Sequence, residues 1–181
     1  SNKELVSIYG AELLQIAKEH DCNYFFEASV GGGIPILHPL RKCFGVNKIE
    51  WIQGILNGTT NFIMTQMIER GISFEEALLE AQKNGYAEKD TTDDIEGTDA
   101  CRKLCIIASM ICGYHIYPNQ VYCQGISNIT VADASYAANW GGSIKLVATV
   151  KQLSRGKLSM MVAPAIVPGK NLLSSVNGVF N

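Results

Sequence analysis

A run of three glycines followed closely by a proline, Gly31 to Pro35, limits what the first part of this chain can form. A dinucleotide-binding loop needs a strand, then G-x-G-x-x-G, then a helix whose amino terminus holds the pyrophosphate. Gly31 and Gly33 fit the first two glycine positions, but Ile36 stands at the third and Pro35 disfavours helix entry. The run therefore predicts a turn after an aromatic-rich strand at residues 23–30, and not a phosphate-binding loop.

The same glycine run has a second interpretation. Backbone carbonyl groups in a glycine turn can converge on a cation, and Glu27 lies nearby in sequence as an anionic ligand. A tight turn without a ligand explains the glycines as well, so the residues by themselves leave both interpretations open.

The composition is that of a folded chain without a polyanion partner. Of the 181 residues, 47% are hydrophobic and 18% are charged, and the net charge is −2. Such a chain can bury a core and has no basic surface for nucleic acid or an anionic membrane. No stretch approaches the ~18 consecutive apolar residues of a membrane span, and the first residues lack the pattern of a signal peptide. These features predict a cytoplasmic protein that acts on a small molecule, with no nucleic-acid and no membrane partner.

Six cysteines raise the questions of disulfides and zinc. No C-x-x-C pair and no histidine at zinc-finger spacing occurs, which argues against a structural zinc site. Cys101, Cys105 and Cys112 recur at helical spacing in an apolar stretch, so we interpret them as small core residues. Scattered thiols of this kind are typical of a reducing compartment.

Hydrophobic periodicity predicts an α+β protein with a mixed β-sheet covered by helices. One helix is expected to be capped by Thr59 or Thr60 and to end at Gly71, and Ser73 with Glu76 forms the capping box of the next, which ends at Gly85. Further helices are expected at residues 5–19, 100–113 and 132–140. The strands are expected at residues 23–30, 48–56, 120–129, 144–152 and 158–167.

An acidic connection over residues 86–97 leads into a helix on which Asp99 and Lys103 are four residues apart. This spacing places both side chains on one face. They could form a surface ion pair worth ~0.3–0.5 kcal/mol. Alternatively, the carboxylate binds a cationic group and holds a lysine that delivers a proton, with Glu88 as a second carboxylate. The spacing does not choose between these.

Three long runs resemble the homoserine dehydrogenase family: NYFFEASVGGGIPIL, GILNGTTNFIM and GYAEKDTTDDIEGTDACRKL. The likeness continues through IKLVATV and SSVNGVF, in the order that the family has them. The resemblance implies reduction of L-aspartate 4-semialdehyde to L-homoserine with NADPH or NADH, on the route to threonine, methionine and isoleucine.

The resemblance also implies roles for individual residues. Lys103 matches the proton donor to the aldehyde oxygen, while Asp99 and Glu88 match carboxylates that bind the substrate's amino group. Lys3 matches a second catalytic lysine near the nicotinamide. Gly58 and Thr59 match a loop close to the substrate. The residues that match sodium ligands are Glu27, Val30, Gly32 and Ile34, the last three of which act through main-chain carbonyls.

By the same resemblance, residues 1–30 are the last helix–strand unit of a Rossmann-type nucleotide-binding domain. Residues 31–181 are then the substrate-binding, catalytic and dimerisation domain, truncated at its C-terminus, and a homodimer is expected. The family's G-x-G-x-x-G fingerprint does not occur, so we expect most of the cofactor site to lie outside this chain and the isolated chain to be inactive. The alternatives are a purely dimerising module, or a reductase for another semialdehyde or for a dipicolinate-type substrate.

Overall fold

The computed structural model describes residues 2–43 and 47–179 and has the predicted α+β architecture. Residues 1, 44–46, 180 and 181, which the predicted domain ranges include, lie outside the described residues. The helices are α1 (Lys3–Glu19), α2 (Leu37–Lys42), α3 (Gly58–Arg70), α4 (Phe74–Lys83), α5 (Thr92–Ile95), α6 (Thr98–Cys112) and α7 (Val131–Asn139). The strands are β1 (Trp51–Gly54), β2 (Tyr122–Cys123), β3 (Gly142–Gln152) and β4 (Leu158–Pro168).

The four strands form one sheet in the order β1-β3-β4-β2. Strand β2 pairs with β4 in parallel, with Tyr122 opposite Met161 and Cys123 opposite Val162. The strand β3 is almost continuously buried through its first half, as expected of a strand covered on both faces. The predicted strands at 48–56, 144–152 and 158–167 are confirmed, the first in a shorter form.

Local sequence signals set most helix ends as predicted. Ser73 and Glu76 form the capping box of α4, and Gly71 ends α3 in the left-handed conformation with φ 65°. The cap of α3 was predicted wrongly. Asn57, and not Thr59 or Thr60, is the N-cap, because its side-chain oxygen accepts the Thr60 N–H and the helix begins at Gly58, ahead of both threonines.

The predicted strand at residues 23–30 is wrong. Residues 27–29 form a 3₁₀ turn, and the N–H groups of Ser29 and Val30 bond to the carbonyls of Phe26 and Glu27. These local bonds occupy groups that a strand ladder would need. The expected helix–strand unit of residues 1–30 therefore has its helix, α1, but no strand among the described residues.

The predicted strand at residues 120–129 is largely wrong as well, since only Tyr122 and Cys123 pair in the sheet. The chain leaves the sheet at Gly125, where a Cβ atom would collide with the backbone of Ile95. The Ile126 N–H then bonds to the Ile95 carbonyl at 2.8 Å. A contact with a segment far away in sequence thus replaces the strand ladder.

The chain divides into two compact units, which interleave along the sequence. Unit 1 comprises residues 1–52, 101–121 and 149–160, and unit 2 comprises residues 53–100, 122–148 and 161–181. In unit 2, α3 packs on α4, α5 and α7. The predicted division at residue 30 is a statement about domain function and stays a prediction.

Unit 1 contains two of the cysteines expected in the core, Cys101 and Cys105, both buried, whereas Cys112 is half-buried. All six cysteines are present as thiols. No helix within residues 2–43 and 47–179 is long and apolar enough to cross a membrane.

Candidate functional site

The side chain of Asn57 occupies the connection between β1 and α3, and its orientation is fixed. Its Oδ1 accepts the Thr60 N–H at 2.8 Å and the Thr60 hydroxyl at 2.9 Å. Both partners donate, so this atom must be the amide oxygen. The amide nitrogen therefore points away from Thr60.

That nitrogen bridges two carboxylates in unit 2. Asn57 Nδ2 donates to Asp94 Oδ1 at 2.6 Å and to Asp99 Oδ2 at 3.0 Å. Asp94 belongs to α5, and Asp99 lies in the first turn of α6, where the helix dipole favours an anion. One NH₂ group thus donates to two carboxylates that are five residues apart in sequence.

Burial makes this carboxylate pair chemically significant. Asp99 is 3% exposed and Asn57 is 5% exposed. Buried carboxylates are costly unless hydrogen bonds or a cation compensate for lost hydration, and two of them together favour a positively charged partner. The interpretation of Asp99 as half of a surface ion pair is wrong, because its side chain is not at the surface.

The amino-terminal turn of α3 lies beside this pair and is closely packed. The Thr59 hydroxyl donates to the Tyr86 carbonyl at 2.8 Å, and the Tyr86 ring meets Phe62 edge to face, with ring centroids 5.1 Å apart. A Cβ atom at Gly58 would collide with the carbonyl oxygen of Val179. Two predicted substrate-loop residues, Gly58 and Thr59, are therefore placed in the same unit as Asp99.

The remaining predicted catalytic residues lie in unit 1. Lys103 is half-buried on α6, one turn after Asp99, and Lys3 is the first residue of α1 and also half-buried. Their sequence neighbours form an ion pair, with Arg102 Nη2 3.3 Å from Glu4 Oε1. This pair connects α1 to α6 next to the two lysines. Glu88 is exposed, and its carbonyl accepts a hydrogen bond from Gln82.

The predicted sodium ligands surround a glycine turn in unit 1. Gly31 and Gly32 have φ angles of 76° and 58°, and the Ile34 N–H bonds to the Gly31 carbonyl at 2.9 Å. Glu27 lies on the preceding 3₁₀ turn. Its carboxylate accepts three backbone N–H bonds of 2.8 to 2.9 Å at the start of α2, from Ile36, Leu37 and His38. In the described part of the chain, no three His, Cys, Asp or Glu side chains cluster as a metal site.

Sequence reasoning missed a second polar cluster in unit 2, which is centred on Lys145. This residue is 1% exposed, although it lies on β3 between Ile144 and Leu146. Its Nζ donates to Asn61 Oδ1 at 3.2 Å, to the Val176 carbonyl at 2.6 Å and to Asn177 Oδ1 at 2.9 Å. A lysine inside an apolar strand pattern is the signal that could have identified it.

Burial lowers the pKa of Lys145 below its ordinary value, and the carboxylate of Glu69 acts in the opposite direction. Asn61 completes the cluster, because its Nδ2 donates to the carbonyls of Val176 and Gly178 at 3.1 and 2.8 Å. The cluster therefore ties residues 176–178 to α3 and β3.

Comparison with known proteins identifies the family of this chain. A family model described as homoserine dehydrogenase matches residues 35–181, which is most of the chain. The chain belongs to the homoserine dehydrogenase family. The matched region contains Asn57, Asp94 and Asp99, so the bridged carboxylates are part of a homoserine dehydrogenase domain.

Individual relatives extend the likeness over the whole chain. Homoserine dehydrogenase of Bacillus subtilis (strain 168) is 43% identical over 181 residues, which are 100% of this chain and 42% of the relative. A crystal structure of a homoserine dehydrogenase from Thiobacillus denitrificans superposes with a TM-score of 0.95 at 40% identity, covering 98% of this chain and 41% of that one. A hyperthermophilic archaeal homoserine dehydrogenase mutant in complex with NADPH has a TM-score of 0.80 at 33% identity, covering 99% of this chain and 50% of that one. The chain spans about 42% of the length of the curated relatives that it matches.

Proposed function

We propose that this chain carries the substrate-binding and catalytic residues of an oxidoreductase that interconverts L-aspartate 4-semialdehyde and L-homoserine, in threonine, methionine and isoleucine biosynthesis. The observation that carries this proposal is the pair of the buried Asp99 and the half-buried Asp94, bridged by Asn57. Both compounds bear an ammonium group, for which paired carboxylates are suitable ligands. The NADPH complex of an archaeal relative supports NADP or NAD as the cofactor.

The chemistry assigns a distinct task to each residue. A bound reduced nicotinamide supplies the hydride that adds to the aldehyde carbon. As negative charge develops on the aldehyde oxygen, the Lys103 ammonium stabilises it and donates the proton that completes the alcohol. Asp99 binds the substrate's ammonium group and Glu88 contributes a second carboxylate. Lys3 would contribute positive charge beside a bound nicotinamide.

The loop of Gly58 and Thr59 completes the substrate-binding region at the amino terminus of α3. The hydrogen bond from Thr59 to the Tyr86 carbonyl holds this turn. Because Gly58 lacks a side chain, Val179 can approach it closely. We propose that substrate is positioned against this turn, since a rigid backbone orients the reacting aldehyde better than a mobile loop does.

The test is an assay of semialdehyde reduction in the full-length form, meaning a polypeptide of the relatives' length that carries this sequence. Oxidation of NADPH is followed by its absorbance. We expect Lys103→Met to lower kcat by about a hundredfold or more, the usual contribution of a positioned proton donor. Lys89→Met removes an exposed lysine from the same region and should leave the rate unchanged. No turnover by the unaltered protein, or equal rates for both variants, contradicts the proposal. The expectation that the 181-residue chain is inactive by itself stays a prediction, which the same assay tests.

A sodium ion is the second ligand that we propose. A carboxylate offers about four lone-pair positions, and the N–H bonds at the start of α2 use three of those on Glu27. One acceptor position on Oε2 therefore remains for a cation, and the positive φ angles of Gly31 and Gly32 curve the backbone between Val30 and Ile34. Glu27 with the carbonyls of Val30, Gly32 and Ile34 is an all-oxygen set, which suits a hard cation. Sodium bound here would hold in place the segment between the 3₁₀ turn at residues 27–29 and α2.

Sodium binding can be measured without any assay of activity. The sodium NMR line should broaden when the protein is added, and potassium should compete weakly. Glu27→Gln should abolish the broadening because it removes the anionic ligand. Glu12→Gln, an exposed carboxylate on α1, is the matched control and should leave it unchanged. Equal broadening by both variants contradicts the site.

A homodimer is the third part of the proposal, and it includes the alternative that the chain acts as a dimerising module. Several large apolar side chains of the sheet strands in unit 2 are exposed, namely Tyr122, Met161 and Ile166. Tyr122 and Met161 are register partners on β2 and β4, so they form a continuous patch. Exposed apolar patches of this kind are typical of association surfaces. Sedimentation should give a dimer for the unaltered protein and a monomer for Met161→Lys. If that monomer binds L-homoserine, the chain is more than a dimerising module.

A further inference from the structure

The side-chain amide of Asn57 donates a hydrogen bond to Asp94 and another to Asp99. Two carboxylates at this separation repel each other, and the repulsion is strong where burial lowers the local dielectric. An uncharged donor between them reduces this repulsion and sets their spacing. The two bonds from Asn57 therefore help to set the positions of the two carboxylates.

The orientation of the amide is determined from its other end. A flip of the Asn57 amide would place its NH₂ group against the Thr60 N–H and its oxygen against the two carboxylates. Each of these new pairings would be repulsive, and two hydrogen bonds from Thr60 would be lost. The donor face is thus fixed by Thr60, in the first turn of α3, before any substrate binds.

The bridge is compatible with recognition of a cation. Each bond from Asn57 engages one lone pair of a carboxylate that has about four. An ammonium group has three donors, and it binds best to acceptors whose positions are set in advance, because it then pays little to order them. Since the amide adds no charge, the pair keeps the negative charge that attracts an ammonium group.

We propose that Asn57 is a positioning residue, which holds Asp94 and Asp99 at the spacing required to recognise the ammonium group of an amino-acid semialdehyde. This inference rests on the proposed function. It adds the residue that organises the carboxylates and predicts that discrimination for an amino group depends on it.

Asn57 also caps α3, so its two roles must be separated. Serine is about as good an N-cap as asparagine, but it lacks the NH₂ donor. Asn57→Ser therefore keeps an acceptor for Thr60 and removes the bridge to both aspartates. Asn57→Asp keeps the shape and the cap, and it replaces the donor by a third carboxylate. Ser73→Ala, which removes the N-cap of α4 in the same unit, is the control for loss of a cap alone.

The experiment compares two substrates in the full-length form with NADPH: L-aspartate 4-semialdehyde, and succinate semialdehyde, which lacks the ammonium group. Asn57→Ser should raise KM for the amino substrate by about tenfold, equivalent to roughly 1.4 kcal/mol, with kcat changed less. The ratio of kcat/KM values for the two substrates should fall by a similar factor. Asn57→Asp should lower the ratio further, and Ser73→Ala should leave it unchanged. Thermal unfolding of each variant verifies that it is folded.

The possible failures are distinguishable. If the unaltered protein does not reduce L-aspartate 4-semialdehyde, the proposed function fails and this inference fails with it. If the unaltered protein reduces it but Asn57→Ser and Asn57→Asp both retain the substrate ratio, only the role of Asn57 is overturned. Loss of activity toward both substrates in equal proportion would likewise overturn it, since that result is expected of a purely structural cap.

Discussion

The buried ammonium group of Lys145 donates a hydrogen bond of 2.9 Å to the side-chain oxygen of Asn177, joining β3 to a segment 32 residues later in the chain. A third residue, Asn61 on α3, accepts from the same ammonium group and donates to the carbonyls of Val176 and Gly178. The segment that these bonds hold continues to Val179, which lies against Gly58. The lysine therefore supports the amino-terminal turn of α3 through the segment from Val176 to Val179.

Replacing Lys145 by methionine should destabilise the protein although the volume is similar. The carbonyl of Val176 and the side-chain oxygens of Asn61 and Asn177 would each lose a buried donor. We expect a loss of about 2–4 kcal/mol in the free energy of unfolding, measured by urea denaturation. Lys151→Met on the same strand, where the side chain is exposed, should change it little. A small effect of Lys145→Met would show that water replaces the ammonium group without cost.

The stability should also depend on pH through Lys145. Burial lowers the pKa of this lysine below the ordinary 10.5, so the unfolded chain holds the proton more tightly than the folded protein does. Stability then rises with pH between the lowered folded pKa and 10.5, because the folded protein is relieved of a buried charge. The difference in unfolding free energy between the unaltered protein and Lys145→Met should therefore increase as pH is raised toward 10.5. A difference that is constant across this range would contradict the prediction.

Gly58→Ala should damage the amino-terminal turn of α3. The new Cβ atom would collide with the backbone oxygen of Val179, which cannot move as a flexible side chain would. We expect about 1–3 kcal/mol of destabilisation and weaker binding of L-homoserine by calorimetry. Gly54→Ala is the control, because a Cβ atom there makes ordinary contact with Leu56 at 3.6 Å. Equal behaviour of the two variants would mean that the 176–179 segment adapts freely.

Asp99→Asn should weaken binding of L-homoserine by about tenfold or more, a cost of roughly 1.4 kcal/mol or more. The substitution removes a negative charge from the bridged pair and places an NH₂ group near the NH₂ group of Asn57, which already donates there. Calorimetric titration of the full-length form with sodium present measures the change. Glu96→Gln neutralises an exposed carboxylate of the same region and should bind normally. If both variants bind alike, Asp99 does not belong to the ammonium site.

The pattern of the sequence predicted the elements that depend on local signals. The helices α1, α3, α4, α6 and α7 and the long strands β3 and β4 all formed where periodicity placed them, although α3 begins ahead of its predicted cap. The failures share a cause. Residues 23–30 and 120–129 have the composition of strands, but strand pairing depends on the partner that the fold brings alongside. The first run closes local turns, and the second leaves the sheet at Gly125 to bond with Ile95.

The candidate site divides in the same way. Asp99, Gly58 and Thr59 were identified from motifs, and the structure places all three in unit 2. Asn57 is not among the residues predicted for the site, and its bonds to Asp94 and Asp99 cross 37 and 42 residues of sequence. Lys145 passed unnoticed because one lysine in the run IKLVATV does not change the strand pattern. The lysine in an apolar strand was a signal that something unusual occurs there, but the bonding partners of both residues depend on the tertiary structure.

The sequence by itself determined the family and the α+β class and supplied the candidate site residues, because motifs, caps and periodicity are written in neighbouring positions. Only the tertiary structure decided which of those residues are buried and what holds them. In sequence, Asp99 is one of six acidic residues between positions 88 and 99. The fold buries it and places it, with Asp94, against the amide of Asn57. It also made Lys145 a buried anchor instead of a surface charge. A hydrogen bond between distant residues depends on how the chain folds back on itself, and no short stretch of sequence encodes that.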